Sequence, residues 1–306
     1  MTNPPVAPVP ALEVEAALAD GRPVVALEST IFSHLGLPSP DNSEALRRVL
    51  AAVTEGGAVP ALTAVIDGIP RAGVGVDEHD LICGPTRKVA ARDLGPAIAQ
   101  RWPYGATTVS ASVTLAAAAG IPVFATGGIG GVHRGWDRTG DISADLPALA
   151  THPVITVTAG AKVFLDLPAT LEYLETASVP VIGWRTDELP AFHAPSSGLP
   201  LTVRADDAAE VAAIAAAHWA LGGGGVVVAV PVPEADGIPL DELNELIAQA
   251  LDAPETAAVT GAAVTPAVLE QLGALSDGRT VSANLALAEN NAAVAAEIAG
   301  ALAGSA

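Results

Sequence analysis

Only two of the 14 basic side chains are lysines, Lys88 and Lys162; the other twelve are arginines. Arginine keeps its proton, whereas a desolvated lysine can lose one and attack a carbonyl carbon. A lysine in so lysine-poor a chain is a candidate for chemistry that arginine cannot perform, although chance survival accounts for two lysines as well. Lys162 closes the run Thr158-Ala159-Gly160-Ala161-Lys162, and no other charge follows until Asp166. Small residues there would let a substrate approach the backbone closely. Glu28 follows an apolar run, Pro23-Val24-Val25-Ala26-Leu27, and reads either as a general acid or base with a raised pKa or as an ordinary loop cap. In Asp141-Ile142-Ser143-Ala144-Asp145, two carboxylates stand at i and i+4 around a serine. That spacing suits Mg²⁺ or Mn²⁺ with sugar hydroxyls, and it equally suits a helix N-terminus.

These residues need elements to hold them. Apolar runs at 23–27, 59–66, 121–125, 154–158, 179–183 and 226–230 read as strands. Helical patterns occupy 11–20, a stretch from Asp41-Asn42-Ser43 to about Glu55 with N-cap chemistry at its start, part of 87–101, and 107–119. Others occupy 167–176, 206–221, 240–251, 266–272 and 283–302. This alternation predicts an α/β class, a single-domain three-layer α/β/α fold with a largely parallel central sheet. Residues 1–10 are Pro-rich and read as a disordered arm, and residues 11–306 as one domain. In such a fold ligands sit beyond the carboxyl ends of strands, where Glu28 and Lys162 fall.

Gly127-Gly128-Ile129-Gly130-Gly131 follows a strand, but its spacing does not match a dinucleotide fingerprint. A turn with positive φ, or backbone close to a ligand, is the better reading. The chain has 306 residues, half of them hydrophobic, and a formal charge of -20. It supplies a large core of small aliphatic side chains and repels nucleic-acid phosphates. A phosphorylated ligand needs a locally positive site. A lone cysteine, Cys83, excludes a disulfide framework and suits a reducing cytosol. The N-terminal residues do not read as a signal peptide, and no apolar run reads as a membrane span, so a cytoplasmic location is expected. The histidines lack zinc-site spacing, and neither a Gly-x-Ser-x-Gly elbow nor a Walker loop is present.

Several blocks, taken in order, resemble the pseudouridine-5'-phosphate glycosidase family. They include Ala26-Leu27-Glu28-Ser29-Thr30-Ile31, Ile66-Asp67-Gly68, Gly105-Ala106-Thr107-Thr108-Val109, and the run from Phe124 to Gly135. Asp141 to Leu146, Ala159-Gly160-Ala161-Lys162, Thr186 to Phe192, and Ala283-Asn284-Leu285-Ala286-Leu287 complete the match, which spans roughly residues 20–300. The resemblance implies cleavage of the C–C glycosidic bond of pseudouridine 5'-phosphate to uracil and ribose 5-phosphate. It implies that Lys162 is the nucleophile that forms a Schiff base at ribose C1', and that Glu28 is the proton donor to the departing base. Lys88 matches a substrate-contacting lysine, expected to depress the pKa of Lys162. Asp141 matches a manganese ligand, with Mg²⁺ also open. Ser143, Ala144 and Asp145 match the sugar-phosphate segment, and Thr108, Val109, His133 and Asn284 match positions lining the site. An α/β/α homotrimer is implied.

The sequence departs from the family pattern at Val163, at Val230-Pro231-Val232-Pro233, and at an insertion near Leu35. These departures are expected to bear on the aglycone rather than on the chemistry. Three other readings stand beside the first. One is a synthase that joins ribose 5-phosphate to another aromatic acceptor. One is a catalytically silent sugar-phosphate binder. The last is a Schiff-base aldolase, which shares the lysine logic but not the block from Gly127 to Asp145.

Overall fold

A computed structural model describes residues 6–257, 259 and 264–305. The strands in chain order are β1 Val9–Pro10, β2 Val24–Leu27, β3 Val59–Ile66, β4 Ile69–Ala72, β5 Arg87–Val89 and β6 Tyr104–Thr107. They continue with β7 Val123–Ala125, β8 Ile155–Thr158, β9 Val181–Trp184, β10 Val203–Ala205 and β11 Val226–Ala229. One path through the sheet runs β1-β4-β3-β2-β7-β8-β11-β9-β10, and β5 and β6 attach through β3. Only the β3–β4 and β3–β6 pairs are antiparallel, so the sheet is mixed and mostly parallel, as an α/β fold requires.

The middle strands are buried on both faces, and their runs of Val, Ala, Leu and Ile follow from that. The helix Arg279–Ser305 packs against the helix Asp41–Glu55 and against β2, β7 and β8. The helix Val109–Ala119 packs against β2, β3, β4, β6 and β7. Small side chains allow this close helix–sheet contact: Ala111 and Ala116 are fully buried on one helix, Ala292 and Ala295 on the other.

β3 changes partner halfway along. Val59–Leu62 pairs with β2 in parallel, and Ala64–Ile66 pairs with β6 antiparallel. The carboxyl ends of β2 and β6 therefore run head-on toward Thr63. The buried Thr63 hydroxyl donates to Leu27 O at 2.9 Å and lies 2.8 Å from Thr107 Oγ1. Thr107 N–H donates to Ser29 Oγ at 2.9 Å, which closes the junction. The residues after Leu27 and after Thr107 are thus held face to face by buried hydroxyls with no charge among them.

Three expectations change. Val9–Pro10 pairs in parallel with Arg71–Ala72, so this end of the expected disordered arm is strand, while residues 1–5 lie outside the described residues. The helix Asp41–Glu55 takes Asp41 into its first turn, and Pro40 at the capping position offers no side-chain acceptor. Five short strands, β1, β4, β5, β6 and β10, had not been read from the apolar pattern.

Candidate active site

A cavity of about 440 Å³ opens at the carboxyl ends of β2, β7 and β8, facing the loops after β5 and β6. Every site residue expected from the sequence lines it. Glu28, Lys162 and Asn284 come from the β2, β8 and Arg279–Ser305 side; Lys88, Thr108 and Val109 come from the β5 and β6 side. His133, Asp141, Ser143, Ala144 and Asp145 come from the loop between β7 and the helix Asp145–Thr151.

Glu28 is buried, 7% exposed, and Thr126 donates a hydroxyl hydrogen bond to its Oε1. Burial raises its carboxyl above the ordinary value, and Asp145 adds to the rise. Lys162, the Thr126 bond and Lys88 pull the other way without cancelling it. A carboxyl so placed can hold a proton for transfer nearer neutral pH.

Lys162 Nζ donates to Gly128 O at 2.8 Å, and its own N–H donates to Ile129 O at 3.0 Å. The Lys162 loop also lies close against Pro190, and this approach depends on Gly160, which has φ +87°; a Cβ there would lie 2.4 Å from Pro190 O. Lys88 lies in the same field. Its amine is pushed down first by burial and then by Lys162, against Asp145 and Glu28.

Asp145 begins the helix Asp145–Thr151, but its carboxylate serves other backbone. It accepts from Ser110 N and Gly130 N, both at 2.8 Å. Ser110 lies in the first turn of the helix Val109–Ala119, where a negative group is favoured. The local-cap reading of this segment holds only for Ser143, whose Oγ accepts from Asp145 N at 3.2 Å.

The glycine run meets protein. None of Gly127, Gly128, Gly130 and Gly131 has positive φ. A Cβ at Gly128 would lie 2.5 Å from the Phe192 ring, one at Gly130 would lie 2.2 Å from Ser143 Oγ, and one at Gly131 would lie 2.4 Å from Thr170 Oγ1. The run is glycine because side chains that wall the site press on it. Ile129 pairs with Ala161 in a bridge rather than opening a helix.

At the mouth, Asp141 Oδ2 stands 3.8 Å from His133 Nδ1, and its backbone oxygen accepts from His133 N at 3.1 Å. Among the described residues, no group of three or more His, Cys, Asp or Glu side chains is placed to hold a metal ion. This donor set does not form a closed metal cage. It does fit a hard cation that keeps its waters and shares substrate oxygens, as Mg²⁺ and Mn²⁺ do.

Sequence reasoning assigns no site role to Thr126, to the Gly128 carbonyl, to Asn291 or to the apolar wall of Ile31, Leu165, Phe192, Pro266 and Leu269, which Leu35 joins. Thr126 shares the signal that found Glu28, a polar residue directly after a buried strand. Of the departures from the family pattern, only Leu35 reaches this cavity. Val163 lines a separate groove with Arg134 and Asp166, and Val230 and Val232 sit in the core, so neither of these departures lines the cavity.

A family model described as "Indigoidine synthase A like protein" matches residues 13–301. A pseudouridine-5'-phosphate glycosidase of Methylobacterium nodulans is 52% identical over 295 residues, covering 95% of this chain and 87% of that one. Another, from Herpetosiphon aurantiacus, is 50% identical over 293 residues, covering 95% and 96%. The solved structure of a prealnumycin C-glycosynthase in complex with ribulose 5-phosphate superposes with a TM-score of 0.89 at 38% identity, covering 99% of each chain. An indigoidine synthase A-like protein from Thermotoga maritima gives 0.88 at 34% identity, again over 99% of each chain.

Proposed function

The chain belongs to the family of indigoidine synthase A like proteins, and from that premise we propose that it cleaves, reversibly, the C–C glycosidic bond of pseudouridine 5'-phosphate. The products are uracil and ribose 5-phosphate. The observation that carries this reading is the convergence of Lys162 and the buried Glu28, whose carboxyl pKa burial raises, on one cavity.

A C-glycosidic bond has no oxygen or nitrogen at the break that an acid could protonate. The amine of Lys162 supplies the missing electron source. Its Nζ bonds to C1' as the C1'–O4' bond breaks, and the proton shed by the nitrogen goes to O4'. The nitrogen lone pair then forms C1'=N⁺. The electron pair of the C1'–C bond moves to the base carbon, which takes the proton of Glu28. Water adds to the iminium, returns a proton to Glu28, and releases ribose 5-phosphate and free Lys162. The Gly128 carbonyl, which accepts from Nζ, aims the amine while the cavity is empty of substrate.

Lys88 and Arg92 supply positive charge to the phosphate end of the cavity in a molecule of net charge -20. Ser143, Ala144 and Asp145, with Thr108 and Val109, form the wall beside them. A Mn²⁺ or Mg²⁺ ion held by Asp141 would offset further negative charge there. Asn284 Oδ1 is buried without a hydrogen-bond partner, and its position on the wall suits a donor on the substrate.

One observation favours a second reading. The cavity's remaining wall, Ile31, Leu35, Leu165, Phe192, Pro266 and Leu269, is apolar and would accept a larger aromatic acceptor than uracil. The structural relative named as a C-glycosynthase belongs with this reading. A cytoplasmic homotrimer completes the proposal. The lone Cys83 and the absence, among the described residues, of a helix long and apolar enough to cross a membrane support the location. The trimer rests on the resemblance, and sedimentation checks it.

The test is mass spectrometry after incubation with ribose 5-phosphate, uracil and Mn²⁺, followed by borohydride. Pseudouridine 5'-phosphate together with a reduced adduct on Lys162 is the expected result. An adduct without that product moves the acceptor away from uracil. Neither signal from folded protein overturns the enzyme reading in favour of a silent binder.

A further inference from the structure

The two oxygens of the Glu28 carboxyl are not equivalent. Thr126 donates its hydroxyl hydrogen to Oε1, and Thr126 is itself held on both sides of its backbone. Its N–H donates to Val157 O at 3.0 Å, and its carbonyl accepts from Asn291 Nδ2 at 2.9 Å. Asn291 is fully buried and reaches Gly127 O at 3.3 Å with the same amide. Thr126 is 5% exposed, so water has little access to replace the bond. We propose that Thr126 is a positioning residue that occupies Oε1 of Glu28 and so confines the transferable proton to Oε2.

A hydroxyl has a single hydrogen. With that hydrogen on Oε1, a proton arriving at Glu28 binds Oε2. Oε1 already gives a lone pair to Thr126, which makes it the weaker proton acceptor of the two oxygens. Resting on the reaction proposed above, Oε2–H delivers its proton to the base carbon as that carbon takes the C1'–C electron pair, and Oε2 takes a proton back when water adds. The charged groups that face Glu28 come from three other elements: Lys162 after β8, Lys88 on β5, and Asp145 at the start of its helix. Among the described residues, the side chain that donates to Oε1 is Thr126, so the distinction between the two oxygens comes from that bond. The bond also favours the ionised carboxyl, so its loss raises the pKa further.

The test reads the carboxyl directly. Infrared difference spectra of the whole protein against Glu28→Gln isolate the protonated Glu28 stretch without any substrate. Thr126→Val keeps the shape of the side chain and removes the hydroxyl; Thr126→Ser keeps the hydroxyl. In Thr126→Val the band should titrate about one pH unit higher, and in Thr126→Ser it should return to the wild-type position. If Thr126→Val does not fold, Thr126→Ala supplies the same comparison. In turnover, kcat should fall about tenfold or more in the Val variant with KM little changed, and the alkaline limb of kcat should move up in pH. Titration of the Val variant at the wild-type pH, or a Ser variant that behaves like the Val variant, overturns the assignment. The infrared result stands or falls without the reaction. A wild-type protein that does not turn over pseudouridine 5'-phosphate therefore sinks the proposed function and not this inference.

Discussion

The carboxylate of Asp145 accepts the backbone N–H of Ser110 at 2.8 Å, which ties the loop after β7 to the helix that follows β6, 35 residues earlier in the chain. Its second oxygen takes Gly130 N at the same distance. Both acceptors are needed. Asp145→Asn turns one oxygen into an NH₂ group that faces a backbone donor. The expected cost is about 1–3 kcal/mol of stability, with a raised KM for ribose 5-phosphate. Thermal melting and steady-state kinetics check this. An unchanged melting temperature would mean that the two N–H groups find other partners.

Glu28 is costly to the fold. Its pKa is raised from 4.5 in the folded protein. Above pH 4.5 the unfolded chain therefore releases this proton more readily than the native one. The contribution of Glu28 is fully present below that pH and is lost as pH rises through the folded pKa. Glu28→Gln does not titrate, so it should melt higher than wild type near neutral pH. The difference should widen from pH 5 to pH 8, while cleavage is abolished. A difference that shrinks over that range would contradict the raised pKa.

His193 has the opposite sign. Its ring is buried with neither nitrogen hydrogen-bonded, and it packs 4.4 Å from the Phe192 ring. Burial pushes its pKa from 6.5 down to about 3. Stability from this residue is present above pH 6.5 and is lost as pH falls toward 3. His193→Phe should leave stability at pH 7 nearly unchanged and raise the melting temperature at pH 4. Equal gains at both pH values would point to packing instead of titration.

Gly160 sets how closely the Lys162 loop approaches Pro190. A Cβ there meets both the positive φ and the Pro190 carbonyl. Gly160→Ala should cost about 1–3 kcal/mol and shift Lys162 away from Gly128 O. Borohydride trapping of ribose 5-phosphate on Lys162 should fall with it. Full trapping in the alanine variant would separate the loop's stability from the aim of the lysine.

Asp141 is the carboxylate proposed to hold the cation. Asp141→Asn should raise the Mn²⁺ concentration needed for half-maximal turnover and leave the unfolding free energy within about 0.5 kcal/mol of wild type, since this side chain is 44% exposed. A metal requirement unchanged from wild type would move the cation elsewhere.

Much of the frame was legible because it is apolar. β2 and β11 are continuous Val, Ala and Leu runs, and β3, β7 and β8 are buried runs broken only by Pro60, threonines and Phe124, as buried strands of a mostly parallel sheet tend to be. β5, Arg87-Lys88-Val89, hides because three residues with two cations carry no pattern. β4 hides behind Pro70, yet Asp67-Gly68 before it, with φ +52° and +76°, is an Asp-Gly hairpin turn that could have found it. β6, Tyr104-Gly105-Ala106-Thr107, hides because four residues with a glycine make no apolar run, and only Thr107 falls in the helix read after it. Glu28 and Lys162 were legible because ligand sites lie beyond strand ends. The shared use of Thr63 by β2 and β6 was not, because the branching of β3 is a tertiary choice between two partners that local sequence does not encode.

The helix Arg279–Ser305 reaches the cavity with Asn284 and the Glu28 support with Asn291, whose partner Thr126 stands 165 residues earlier. Forming that contact costs the entropy of closing a long loop, and the packing of the helix against β2, β7 and β8 offsets it. One helix thus lines the cavity and backs the residue that bonds Glu28, so a substitution that loosens its docking would disturb both at once.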